Sequence, residues 1–142
     1  METIGQLLKD KGPDVWTIGP DASVYDGIEM MAAKGVGALV GTDGGRPVGI
    51  ISERDYARKV VLKDRSSRDT KIAEIMTGRV LYASPDQTVE EGLSMMTEKR
   101  VRHLPVMDGE KLVGIVSIGD LVKAIIAEQQ QMISQLEQYI SG

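Results

Sequence analysis

The sequence is poor in cysteine and histidine, two residues on which many enzyme and metal sites depend. None of its 142 residues is cysteine, which excludes disulfides, thiolate metal ligands and cysteine nucleophiles within this chain. It has no phenylalanine and one tryptophan, so we expect an aliphatic core. His103 is the only histidine, and no side chain at a suitable spacing completes a catalytic or metal-binding set with it. We therefore predict no metal, no catalytic residue and no enzymatic activity.

The sequence also has no basic surplus and no long apolar run. Its formal net charge is −4 at pH 7, whereas a dedicated nucleic-acid-binding protein normally carries a positive patch. The first residues lack the basic and apolar regions of a secretion signal, and no stretch is long enough to span a bilayer. We expect a cytoplasmic protein with neither nucleic acid nor membrane as a partner.

What the sequence does contain is a repeated stretch. Residues 48–55 and 113–120 read VGIISERD and VGIVSIGD. Each is a β-branched strand followed by Ser-x-x-Asp, which is typical of a helix N-terminus. One interpretation is a capping box that only stabilises a helix. The other is a binding site for a phosphate and a ribose, because the start of a helix has free N–H donors beside a hydroxyl and a carboxylate.

The repeat extends well beyond these residues. Gly49 and Gly114 lie 65 positions apart, as do Asp55 and Asp120, and the same offset aligns turn and apolar residues upstream. A period of this length indicates two copies of one supersecondary unit. We divide the chain into 1–66, which includes an N-terminal helix, and 67–142, which includes a helical tail.

Each copy predicts the same order of elements. Apolar spacing and turn residues indicate a short helix, a strand, a longer helix and two antiparallel strands, followed by the helix that Ser-x-x-Asp begins. In the second copy the first strand is predicted at 80–82. Small residues follow the longer helix in the first copy, whereas a basic run at 99–103 follows it in the second.

This order resembles the cystathionine-β-synthase (CBS) domain, and two copies in tandem resemble the CBS pair, or Bateman module, of stand-alone bacterial proteins. The resemblance covers the chain from about Ile4 to about Ala127. It implies an α+β fold in which two β-α-β-β-α units pack about a pseudo-twofold axis. It also implies two clefts that bind adenosine compounds.

The resemblance gives roles to the two Ser-x-x-Asp stretches. It implies that Asp55 and Asp120 each hold a ribose diol, and that Ser52 and Ser117 lie near a phosphate. The chemistry agrees, since a carboxylate can accept hydrogen bonds from both ribose hydroxyls. Arg54, beside the first aspartate, is a candidate to reach a phosphate in the opposite cleft.

The residues expected to border the clefts differ between the copies. The resemblance places a cleft-facing hydroxyl at Thr17, whereas Tyr82 stands at the equivalent position and suggests ring stacking or a blocked site. Arg102 and His103 should lie near a phosphate, while Ala38 leaves room in the other copy. We therefore expect unequal clefts, the cationic one being the tighter phosphate site.

These features favour a non-enzymatic sensor of adenine nucleotides, with AMP the first candidate ligand and NAD, ADP and ATP the next. The alternative is a dimeric interaction scaffold whose clefts have no physiological ligand and whose C-terminal helix binds a partner. A nicotinamide-dependent enzyme has the least support, because no acid or base is nominated. Apolar residues continue at helical spacing beyond Asp120. We therefore predict a homodimer that acts on an unidentified downstream protein.

Overall fold

The computed structural model describes residues 2–12 and 14–141. These residues form two compact units. The first unit is Asp14–Leu81, and the second unit combines the described residues of Met1–Pro13 with those of Tyr82–Gly142. Every helix in the described part of the chain is too short or too polar to cross a bilayer.

Helices and strands follow the order that the repeat predicts, except at the strand predicted for residues 80–82. In chain order they are α1 (Ile4–Lys11), β1 (Thr17–Ile18), α2 (Val24–Lys34), β2 (Ala38–Asp43), β3 (Arg46–Ser52), α3 (Glu53–Tyr56), the π-helical segment Ala57–Val61, α4 (Ile72–Ile75), α5 (Val89–Lys99), β4 (His103–Asp108), β5 (Lys111–Ser117) and α6 (Ile118–Ser141). In the first unit, β1 runs parallel and β3 antiparallel to the central strand β2. In the second unit, β4 and β5 form an antiparallel pair. The predicted α+β fold is confirmed.

The two units bury equivalent residues in their cores. Four core positions of the first unit recur 65 residues later in the second: Val24 and Val89, Met31 and Met96, Leu39 and Leu104, and Ile51 and Val116. Burying one such side chain contributes about 1.5 to 3 kcal/mol. The repeated apolar spacing therefore reflects two cores built on the same plan.

Each of the two short helices packs in the unit that consists mainly of the other copy of the repeat. Helix α4 packs in the first unit, where Cδ1 of Ile72 lies 2.9 Å from the point that a Cβ on Gly27 would occupy. Helix α1 packs in the second unit, where Cδ1 of Ile4 lies 3.0 Å from the same point at Gly92. The compact units therefore differ from the division after Ser66, which follows the order of the repeats and groups α1 with the first copy.

The strand predicted at 80–82 does not form. Ala83 instead makes a single parallel bridge to β4. In the first unit, the N–H of Val40 donates to the carbonyl oxygen of Trp16 at 3.3 Å. Pro105 stands at the equivalent position of the second unit, and proline has no N–H to donate. The ladder there loses this bond, and the expected strand is reduced to one bridge.

Helix α6 is much longer than the other helices and has 24 residues. Leu121 in its first turn is fully buried. Further along, Ile126, Ile133 and Leu136 are 49%, 55% and 59% exposed. The distal part of the helix thus presents an apolar stripe at its surface.

Candidate functional site

The ten predicted site residues fall into two sets, one in each unit. The strand registers explain the grouping, because Ala38 pairs with Ser52 in one hairpin and His103 pairs with Ser117 in the other. The first set is Thr17, Ala38, Ser52, Arg54 and Asp55, and the second set is Tyr82, Arg102, His103, Ser117 and Asp120. In each unit a hairpin end and a helix start meet at the Ser-x-x-Asp stretch.

Ser52 and Asp55 form a reciprocal cap at the start of α3. Oδ2 of Asp55 accepts hydrogen bonds from the Ser52 N–H at 2.9 Å and from its hydroxyl at 3.1 Å. The Ser52 hydroxyl oxygen accepts from the Asp55 N–H at 3.2 Å. Oδ1 of Asp55 lies 3.3 Å from Nζ of Lys59, which also donates to the carbonyl oxygen of Ile75 at 2.8 Å. Both oxygens of this carboxylate therefore already have partners.

Ser117 and Asp120 form the corresponding cap at the start of α6. Oδ2 of Asp120 accepts from the Ser117 N–H at 2.8 Å, and the Ser117 hydroxyl accepts from the Asp120 N–H at 3.1 Å. Lys11 of α1 donates to the same Oδ2 at 2.7 Å and to the carbonyl oxygen of Ile115 at 2.8 Å. All hydrogen bonds from described residues to this carboxylate end on Oδ2. The other oxygen, Oδ1, can therefore accept from a ligand.

The pKa of Asp120 lies below the usual range of an aspartate. Burial raises the pKa of this carboxyl, but hydrogen bonds from Lys11 and Ser117 and the positive charge of Lys11 outweigh that effect and lower it. The carboxylate is therefore ionised at neutral pH and acts only as an acceptor. A pair of ribose hydroxyls needs such an acceptor.

Neither lysine of these caps is among the ten predicted site residues. Lys59 follows Asp55 by four residues, and this helical spacing is a signal that the sequence alone contains. Lys11 precedes Asp120 by 109 positions, and no sequence pattern links the two. Only the packing of α1 in the second unit brings Lys11 to the carboxylate.

Arg102 is fixed beside the second cap through its backbone. The N–H of Ile118 donates to the carbonyl oxygen of Arg102 at 2.9 Å. In the first unit, the N–H of Glu53 donates to the carbonyl oxygen of Gly37 at 3.0 Å. The Arg102 side chain is exposed. One unit therefore has a cationic side chain at the point where the other has a glycine.

Six of the ten predicted residues, among them Thr17, Arg54 and Tyr82, lie outside these hydrogen-bonded caps. Thr17 and Arg54 are exposed, and Tyr82 is 37% exposed. Over the described residues, the bonds of the two caps involve none of the three. Burial raises the pKa of the Tyr82 phenol, so this partly covered ring keeps a neutral hydroxyl at physiological pH.

A pocket of about 580 Å³ lies in the first unit. The end of α2, the turn that follows it and the start of α3 border this pocket, with Met31, Val36 and Tyr56 among its lining residues. The ten predicted site residues are not part of its lining. Its walls suit an apolar group rather than a phosphate.

Known proteins resemble this chain along most of its length. The sequence profile of the CBS domain matches residues 8–62 and 72–127. A solved structure of a protein with CBS domains from Burkholderia ambifaria has 53% identity and a TM-score of 0.85, over 89% of this chain and 96% of that one. CBSX3, a mitochondrial CBS domain-containing protein of Arabidopsis thaliana, is 37% identical over 99% of this chain and 72% of its own length. The CBS domain pair of protein MJ0100, solved with 5′-methylthioadenosine and S-adenosyl-L-methionine, is 25% identical with a TM-score of 0.77, over 87% of this chain and 98% of that one.

Proposed function

The chain belongs to the CBS-domain family as a tandem pair, and on that premise we propose that this regulatory module senses an adenine nucleotide. AMP is the first candidate ligand, and NAD, ADP and ATP are the next. The module has no catalytic activity of its own in this proposal, and binding changes its shape or its assembly. Its downstream target is another protein, and the cytoplasm is the proposed location.

The arrangement of Asp120 carries this proposal. Its carboxylate is ionised, fixed through Oδ2 by Ser117 and Lys11, and open to a ligand at Oδ1. Charge-assisted hydrogen bonds of this kind contribute roughly 1.5 to 3 kcal/mol each. A sensor needs a dissociation constant of about micromolar to millimolar, or roughly −8 to −4 kcal/mol. One ribose diol and one phosphate contact can supply that binding energy.

The chemistry of a related module supports adenosine as the recognised part. The MJ0100 pair binds 5′-methylthioadenosine and S-adenosyl-L-methionine, which share an adenosine and differ in the group at its 5′ carbon. Around Asp120 this chain has the cations Lys11 and Arg102. These charges favour a 5′-phosphate, and hence AMP, over a thioether.

The proposal assigns this chain neither a metal nor a reaction. No group of three or more histidine, aspartate or glutamate side chains in the described part of the chain could hold a metal ion. His103 pairs across the hairpin with Ser117, and His103 and Arg102 are assigned to a phosphate in this proposal. Binding without catalysis is therefore the proposed role.

A ligand screen tests the proposed function. Native mass spectrometry of the purified protein should detect a bound adenosine compound. A thermal-shift series with AMP, ADP, ATP and NAD should raise the unfolding temperature, since any ligand that binds only the folded state stabilises it. A protein that carries none of these compounds and is stabilised by none of them contradicts the proposal.

The surface of α6 favours a second function, that of a dimeric interaction scaffold. Along this helix, positions separated alternately by four and three residues are Val122, Ile126, Gln129, Ile133, Leu136 and Ile140. This is the heptad spacing of a two-stranded coiled coil, with isoleucine at one core position and mainly leucine or valine at the other. A second copy of the same helix is the partner that this repeat fits. We include the homodimer in the proposed function.

A further inference from the structure

We infer that Lys11 is a specificity-determining residue of the Asp120 site and that it selects nucleoside phosphates over uncharged nucleosides. This inference rests on the proposed function, because it concerns the same site. It adds Lys11, from a distant segment of the chain, to the proposed site, and it predicts that the site prefers ligands that carry a negative charge.

The hydrogen bonds of Lys11 leave part of its ammonium group for a ligand. An ammonium has three N–H donors. One donates to Oδ2 of Asp120 at 2.7 Å and a second to the carbonyl oxygen of Ile115 at 2.8 Å. The third N–H has no acceptor among the described residues. Because the Lys11 side chain is 35% exposed, a bound ligand can reach this donor.

Lys11 and Asp120 together offer both kinds of hydrogen bond at one point. Oδ1 of Asp120 accepts, and the remaining N–H of Lys11 donates. A ribose hydroxyl both donates and accepts, so one hydroxyl can use the two groups together. The ammonium also places a positive charge within 3 Å of the carboxylate, so the pair attracts an anion more strongly than the carboxylate alone could.

The distance from the diol to the 5′-phosphate makes the Lys11 charge relevant to specificity. In a nucleotide only the ribose ring and the 5′ methylene separate the phosphate from the diol, a distance shorter than the screening length of about 8 Å at physiological salt. The lysine charge therefore attracts the phosphate, whereas a neutral nucleoside gains no such attraction.

The first unit provides an internal contrast. Lys59 contacts Asp55 and is tied to the carbonyl oxygen of Ile75, but both oxygens of Asp55 are already engaged. There the lysine contacts Oδ1 and Ser52 bonds Oδ2, so neither oxygen of Asp55 is left for a ligand. At Asp120 the lysine leaves an acceptor oxygen open beside it, and we therefore assign the specificity role to Lys11.

Calorimetric titration with AMP and with adenosine tests this inference in the full-length protein. The variants are Lys11→Met, which keeps the aliphatic stem and removes the charge, and Lys11→Arg, which keeps the charge. Lys9→Met is the matched control, because Lys9 is an exposed lysine in the same last turn of α1. Lys11→Gln is a second neutral variant in case Lys11→Met is unstable, and circular dichroism checks the fold of each.

The measured quantity is the ratio of AMP affinity to adenosine affinity. We expect this ratio to fall about three- to tenfold in Lys11→Met and in Lys11→Gln, as removal of one nearby screened charge should cause. It should stay within about twofold of wild type in Lys11→Arg and Lys9→Met, because neither change alters the charge at this point. An unchanged ratio in the folded neutral variants overturns the inference while the proposed function stands. A wild-type protein that binds neither compound overturns the proposed function and this inference with it.

Discussion

Arg100 ends helix α5 in the left-handed conformation that Gly35 adopts at the end of α2. The φ angle is 56° at Arg100 and 65° at Gly35, and the two residues are equivalent in the repeat. In both helices the N–H of this residue closes the last turn, on Met96 in α5 and on Met31 and Ala32 in α2. The second unit therefore has a side chain where the first uses glycine to avoid strain.

Arg100→Gly should stabilise the protein. A residue with a Cβ is disfavoured in the left-handed region by roughly 1 to 2 kcal/mol, whereas glycine costs about 0.5 to 1 kcal/mol of backbone entropy. We expect a net gain of about 0.5 to 1 kcal/mol in the free energy of unfolding, measured by urea denaturation. The reverse test, Gly35→Ala, should lose about 1 kcal/mol. If Arg100→Gly unfolds at a lower urea concentration than wild type, the left-handed conformation of Arg100 is not strained.

The packing of α1 in the second unit predicts an energetic coupling between Leu8 and Gly114. A Cβ on Gly114 would lie 2.6 Å from Cδ2 of Leu8, so Gly114→Ala should cost about 1 to 3 kcal/mol through overpacking. Leu8→Ala should cost roughly 2 kcal/mol and should also make room for the new methyl group. The double variant should therefore lose at least about 1 kcal/mol less than the sum of the two single losses. Additive losses in urea denaturation would show that α1 does not pack here.

The same packing explains why part of the fold and site escapes sequence reasoning. The repeat follows from a constant offset of 65 positions that the sequence itself displays, and the capping boxes and apolar helix faces follow from spacings of three or four residues. The contact between Lys11 and Asp120 spans 109 positions and depends on which unit the short helix α1 joins. No local pattern carries that information.

Loss of the strand at 80–82 illustrates a second limit. The residues there fit a strand, and the first copy does form a short one at Thr17–Ile18. Strand formation also depends on the partner, and the partner in the second unit is Pro105, which has no N–H. The sequence contains that proline, but it does not show which strand the proline faces. The pairing of Thr17 with Val40 in the first unit shows that Pro105 would face Tyr82 in the second.

Asp120 should contribute stability that depends on pH. Because its pKa is lower in the folded protein than in the unfolded chain, the folded protein gains stability above the unfolded pKa, and this gain is lost as pH falls through the folded pKa. Asp120→Asn should therefore lower the free energy of unfolding by about 1 kcal/mol at pH 7, with the difference from wild type shrinking below about pH 4.

Chemical denaturation between pH 7 and pH 3 measures this difference. Asp14→Asn is the control, since Asp14 is exposed. A gap between wild type and Asp120→Asn that is constant across this range indicates that the ion pair with Lys11 does not form in solution.

The heptad spacing of α6 predicts that the homodimer depends on the distal helix. Ile133 is 55% exposed and lies at a core position of the proposed coiled coil, so Ile133→Glu should place a charge in a buried seam and prevent association. Gln131→Glu is the control, because it adds the same charge away from the seam. Light scattering should give a dimer mass for wild type and Gln131→Glu, and a monomer mass for Ile133→Glu. A monomeric wild-type protein at tens of micromolar rules out this assembly.

Calorimetric titration of AMP into wild type, Asp120→Ala and Asp55→Ala tests the proposed nucleotide site most directly. Loss of the Asp120 carboxylate removes the open acceptor for the ribose diol and should weaken AMP binding about ten- to a hundredfold, or roughly 1.4 to 2.8 kcal/mol. Asp55→Ala should have the smaller effect, because both oxygens of Asp55 are already engaged within the first unit. Each variant should stay folded by circular dichroism, since a lost cap costs only about 1 kcal/mol. If folded Asp120→Ala binds AMP as tightly as wild type, the Ser-x-x-Asp stretch of the second unit is a helix cap and not a nucleotide site.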